Sequence, residues 1–145
     1  MHQEGTRIWV SRALIGLVLF FNVQCAVAFI AAPKVYAMGF ELEGAVGEGM
    51  IRGMGILFLM WNVPYAVALS HPVRRRVSLY EAILMQSIGL VGETLLLHLF
   101  PAGHPVIEAS IGRFILFDGA GLLALLLAAW VSRTRKVEVI SRPSV

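Results

Sequence analysis

Residues 47–65 read GEGMIRGMGILFLMWNVPY. The stretch is apolar along most of its length, and it lies within the longer apolar run 46–69. A run of ~20 such residues is enough to cross ~30 Å of hydrocarbon as a helix. It also carries Glu48 and Arg52, one helical turn apart. A charged residue at mid-bilayer costs ~2.5–3.5 kcal/mol even on lenient scales. The stretch therefore reads as a transmembrane helix whose charges need partners elsewhere in the chain.

Three further runs of similar character, 8–31, 79–100 and 106–132, lie on either side of it. Together the four take up most of the 145 residues and leave no room for a soluble domain. The composition agrees: 58% hydrophobic, 14% charged, mean hydropathy +0.78. An ordinary soluble domain has about a quarter of its residues charged. Backbone polar groups in lipid must satisfy one another, so the runs are read as helices. The expected fold is one all-α domain over residues 1–145, an integral membrane four-helix bundle.

The net charge of +3 and pI near 9.5 suggest nucleic acid only until the charges are located. Arg7 and Arg12 precede or open the first run, and Arg74, Arg75 and Arg76 lie between the second and third. Arg133, Arg135, Lys136 and Arg142 follow the fourth. The other two connections hold little beyond Lys34. This bias places both termini and the middle loop in the cytoplasm and predicts a multi-pass protein of the bacterial inner membrane. The basic balance thus reports topology and contact with the lipid bilayer; no nucleic-acid partner is expected. The first run is longer than the ~7–15 apolar residues of a signal-peptide core, so it is expected to be retained as a span.

Cys25 is the only cysteine. Inside the first run it reads as a small packing residue, and paired-thiol redox chemistry is excluded. Pro33, Gly39, Glu41, Glu43 and Gly44 punctuate the first connection, whose middle is amphiphilic enough to lie on the membrane surface or to cap the bundle. The other two connections are short, so spans two and three, and three and four, are expected to be antiparallel neighbours. The tail after Trp130 is basic and is expected to be partly disordered.

Depth along each span can be counted at ~1.5 Å per residue. On that count Arg52, Glu93 and Arg113 lie ~9–10 Å below the outer surface, with Asn22 in the same half and Asp118 nearer the midplane. At 100° per residue Glu48, Arg52, Gly55, Leu59 and Asn62 form one stripe, and Ala82, Gln86, Gly89 and Glu93 another. Both stripes mix small and polar residues, the usual makeup of helix contacts in membranes. Asn62 and Gln86 share an inner-half depth and read as a pair. Arg113 and Asp118 are about 140° apart around an ideal helix and do not face one point.

Two readings of Glu48, Arg52, Glu93, Arg113, Asp118 and Asn22 stand side by side. One is a clamp fixing helix register; the other is a pocket that binds a polar head group or transfers a proton, with Glu93 and Asp118 as the acid–base candidates. His98 and His104 show no ligand spacing and read as interfacial, so neither a metal site nor a cofactor is expected. Pro64 lacks a donor and should kink span two, with Asn62 and Gln86 serving the freed carbonyls.

The order of a first span, then APKVYAMGF at residues 32–40, then RGMG at residues 52–55 opening span two, resembles small bacterial DoxX-like and DUF4345-type membrane proteins. That resemblance implies a four-helix membrane fold. Some DoxX relatives act in quinone-dependent sulfur oxidation, but the lone Cys25 gives no support for carrying that activity over. The expected function is non-enzymatic: binding of a small amphiphile or a partner helix through the outer-half polar layer. The rival is a membrane enzyme acting on a lipid or quinone, and a third reading is a homo-oligomer or the accessory subunit of a larger membrane complex.

Overall fold

Each apolar run forms a helix, because only intrahelical hydrogen bonds satisfy a backbone whose side chains are apolar all round. The computed structural model describes residues 2–133; the basic tail at 134–145, with Arg135, Lys136 and Arg142, lies outside them. The elements are α1 (His2–Ala31), α2 (Pro33–Ala37), a 3₁₀ turn (Met38–Phe40), α3 (Gly44–Trp61), α4 (Val63–Ser70), α5 (Arg76–Leu99) and α6 (Pro105–Val131). Among the described residues there is no strand. Four stretches, Gly5–Ala31, Gly44–Ser70, Arg76–Leu99 and Pro105–Val131, are long and apolar enough to cross a membrane.

Prolines mark several of the boundaries. Pro33, Pro64 and Pro105 sit in the first turn of α2, α4 and α6, where a missing N–H costs least. The second run differs from the single kinked helix expected of it: it breaks into α3 and α4 at Asn62. Pro64 cannot donate to the carbonyl of Met60, so the helical ladder is interrupted. Asn62 bridges the break, its backbone N–H reaching the carbonyls of Phe58 and Leu59 at 3.2 Å each. Its side-chain Nδ2 also donates to the Phe58 carbonyl, at 2.6 Å. Asn62 and Gln86, expected to serve the carbonyls freed by Pro64, do otherwise: the Asn62 side chain doubles the bond to the Phe58 carbonyl, and Gln86 is engaged with Tyr65 and Asp118.

The break divides the packing of the second span. α3 leans on α1 and α2, whereas α4 packs on α5 and α1. The fourth span, α6, lies against both α5 and α1. Gly55 lets α3 approach α1 closely, since a Cβ there would stand 2.7 Å from the Ala26 carbonyl oxygen.

The core consists of two apolar clusters. One, at the end where α1 begins and α6 ends, gathers Ile15, Val18, Tyr65, Ala68, Leu79, Ala82, Leu125 and Ala128. The buried Ser11 hydroxyl fastens α1 to α6 there by donating to the Ala128 carbonyl at 3.1 Å. The other, at the opposite end, is built on Phe29, Ala37 and Ile51. Around Phe29 stand the rings of Tyr36, Phe40, Phe58 and Phe114 at centroid distances of 5.0, 6.1, 5.8 and 6.3 Å. These are the separations of favourable aromatic pairs. α2 and the 3₁₀ turn fold over this end, with Leu42 N–H closing on the Ala37 carbonyl at 3.0 Å. The first connection thus caps this end of the bundle.

Candidate functional site

Between the two clusters lies a cavity of about 350 Å³ bounded by side chains from every span. Asn22 and Cys25 of α1, Phe58 and Trp61 of α3, and Asn62 and Tyr65 at the α3–α4 break form one side. The opposite side comes from Met85, Gln86, Ile88, Gly89 and Glu93 of α5 and from Phe114, Phe117 and Asp118 of α6. The lining is mostly apolar with a few convergent polar groups, the usual character of a small-molecule site.

The polar groups are linked in one chain. Tyr65 Oη donates to Gln86 Oε1 at 2.6 Å, and Gln86 Nε2 donates to Asp118 Oδ1 at 2.8 Å. Two glycines seat the Gln86–Asp118 link, one on α5 and one on α6. A Cβ on Gly89 would collide with Asp118 Oδ2, and a Cβ on Gly121 would stand 2.7 Å from Gln86 Nε2. Each polar side chain therefore lies against the bare backbone of the facing helix, which the small residues permit.

Two buried side-chain oxygens at the cavity have no hydrogen-bond partner, Asn62 Oδ1 and Glu93 Oε2. The Asn62 side chain is otherwise well held, with the residue only 6% exposed. The Phe58 carbonyl accepts from Nδ2, which fixes the orientation of the amide and leaves Oδ1 as the free acceptor. An unpartnered buried acceptor costs roughly 1–3 kcal/mol, so such atoms ask what meets them when the site is in use.

The candidate residues read from the sequence are distributed unevenly. Asn22, Asn62, Gln86, Glu93 and Asp118 line this one cavity, so residues assigned to two depths share a single chamber. Asn62 and Gln86 face that chamber without a hydrogen bond between them among the described residues; Gln86 is taken by Tyr65 and Asp118. Arg113 lies on a second cavity, of about 480 Å³, with Tyr36, Ser110 and several rings. It donates to Ser110 Oγ at 2.8 Å, and Ser110 donates to the Gly39 carbonyl at 2.5 Å. Cys25, Phe114 and Phe117 form the wall shared by the two cavities. Arg52 stands apart: its side chain is 56% exposed and reaches Glu48 of its own helix at 3.9 Å. Among the described residues, neither Glu93 nor Asp118 has a cationic side chain within 4 Å.

His104 Nδ1 meets Glu41 Oε2 at 2.6 Å, tying the α5–α6 loop to the first connection, while His98 Nδ1 meets the Thr94 carbonyl oxygen of its own helix at 3.0 Å. Tyr65 and the seats at Gly89 and Gly121 were not singled out as site residues from the sequence. The signal for Tyr65 was its place just after Pro64; for Gly121, its spacing one turn beyond Asp118.

A scan against protein-family models found no match. Searches of curated proteins and of solved structures likewise found none.

Proposed function

We propose that this is a multi-pass membrane protein, with its termini in the cytoplasm, that binds a small amphiphile in the chamber between its two cores. The observation that carries the reading is the 350 Å³ cavity with the unpartnered Asn62 Oδ1 and Glu93 Oε2 at its wall. The head group meets the polar wall made by Asn62, Gln86, Glu93 and Asp118, while the apolar body lies along Phe58, Trp61, Phe114 and Phe117. A route in is supported by the packing: α3 follows α1 while α4 follows α5, and the lining residues Trp61 and Ile88 are 51% and 63% exposed on the outer surface of the bundle. A ligand dissolved in the bilayer can enter sideways there. The large outward side chains, such as Leu84, Leu116 and Leu123, are of the kind a bilayer covers. Residence in a bacterial inner membrane and kinship with DoxX-like proteins belong to the same proposal. They rest on the arginine distribution and on residues 32–40 and 52–55.

Native mass spectrometry of the protein purified with its lipids tests the reading. The wild type should retain a small amphiphile, and Ile88→Trp at the mouth should retain much less of it. A wild-type spectrum without any bound small molecule would overturn it. The same spectra give the oligomeric state and so test assembly with further copies.

A second reading, catalysis on a lipid or quinone, is favoured by one observation: Glu93 and Asp118 both line the chamber. Asp118→Asn separates the two. A binder holds the same molecule in both forms, whereas an enzyme blocked at its acid–base step accumulates a molecule of different mass.

A further inference from the structure

The chamber is asymmetric in what it offers a ligand. Both buried side-chain atoms left open are oxygens, one an amide carbonyl and the other a carboxylate. The neighbouring acceptor, Asp118, is engaged through one oxygen by the Gln86 amide, and its second oxygen rests against Gly89. Among the described residues no Lys, Arg or His lines this cavity. The nearest arginine of α6, Arg113, lies on the second cavity and is held on Ser110. Two carboxyl groups thus share a low-dielectric chamber without a countercharge, and an incoming cation is what would stabilise their charged forms there. Phe58, Trp61, Phe114 and Phe117 line the same chamber, and aromatic faces attract a cation.

We infer that the chamber selects amphiphiles whose head is a protonated amine bearing N–H donors. This rests on the amphiphile-binding reading above and specifies its ligand class. The amine donates to Glu93 Oε2 and places its charge between Glu93 and Asp118, with Asn62 Oδ1 a further open acceptor on the chamber wall; the tail leaves through the mouth at Trp61 and Ile88. A carboxylate head would face two carboxylates, and an alcohol brings a donor but no charge. A quaternary ammonium brings the charge and no donor, so it leaves both oxygens unmet.

Four probes with one tail separate these heads: dodecylamine, dodecyltrimethylammonium, dodecanol and dodecanoate. Their dissociation constants are measured at neutral pH in neutral-detergent micelles from tryptophan fluorescence, with Trp61→Phe to identify the chamber's signal. Dodecylamine should bind at least tenfold more tightly than dodecanol or dodecanoate and several-fold more tightly than the quaternary analogue. Glu93→Gln should remove most of the preference for amine over alcohol. Glu93 Oε2 makes no hydrogen bond in the fold, so this variant is the one least exposed to misfolding, and an unchanged melting curve checks that. If dodecanol or dodecanoate binds as tightly as the amine, or if Glu93→Gln leaves the preference intact, the amine inference is overturned while amphiphile binding stands. Equal binding of the quaternary analogue overturns the donor requirement and the inference with it. If none of the four binds, the amphiphile-binding reading fails as well.

Discussion

Gln86 joins two members of the polar wall, because it accepts from Tyr65 and donates to Asp118. Tyr65→Phe leaves one amide oxygen without its donor and should cost about 1 kcal/mol, the scale of hydrogen bonds between membrane helices. Gln86→Leu removes the acceptor of the tyrosine O–H and the donor to an aspartate oxygen and should cost about twice that. The double variant should be less destabilised than the sum of the two, since the residues share one chain. Reversible unfolding in mixed micelles reads all three. Strict additivity would mean that the chain is a string of independent bonds. Arg52 gives the opposite expectation. A half-exposed side chain reaching its partner at 3.9 Å contributes under about 1 kcal/mol, so Arg52→Ala should unfold close to wild type. Counting depth along the helices could bring Asn22, Glu93 and Asp118 to one region, but depth is blind to rotation. Which way Arg52 turns on α3, and that Gln86 prefers Asp118 to Asn62, depend on how neighbouring helices seat one another.

At the scale of the elements, two glycines two residues apart, and so on nearly opposite faces of α3, behave differently. A Cβ at Gly55 meets a backbone carbonyl of α1, which cannot move without moving the helix. Gly55→Ala should therefore push α3 from α1 and cost about 1–3 kcal/mol, the usual price of overpacking. A Cβ at Gly53 meets nothing within 4 Å, so Gly53→Ala should be neutral or stabilise slightly through helix propensity. Comparing the two unfolding midpoints checks the packing of this helix pair directly. The four apolar runs were legible because ~20-residue hydrophobic stretches leave a helix little alternative in lipid. Pro64 was legible as a disturbance for the same local reason. That it would divide the span, sending α3 to α1 and α4 to α5, was not, because it depends on which surfaces the two halves find. The course of residues 33–40 over the aromatic cluster likewise follows from Phe29, Phe40 and Phe114 meeting in space, far apart in sequence.

For the whole molecule, the distribution of arginines makes the orientation testable. In a Cys25→Ser background, single cysteines at Arg7 and Arg133 should label from the same side of sealed vesicles, and one at Gly103 from the other. Labelling of all three from one side would remove the proposed topology. The chamber itself has a consequence for how the protein comes into being. Its wall draws on the first span, both halves of the second, the third and the fourth, so no pair of neighbouring helices contains it. If the gene is cut at the loop between α4 and α5, neither product holds half a site; each holds scattered fragments of one. Ligand capture should be absent from either product expressed alone and return only when the two are made together and reassociate. Occupancy of the chamber would then report that all four spans have met, which makes a bound molecule a marker of completed assembly.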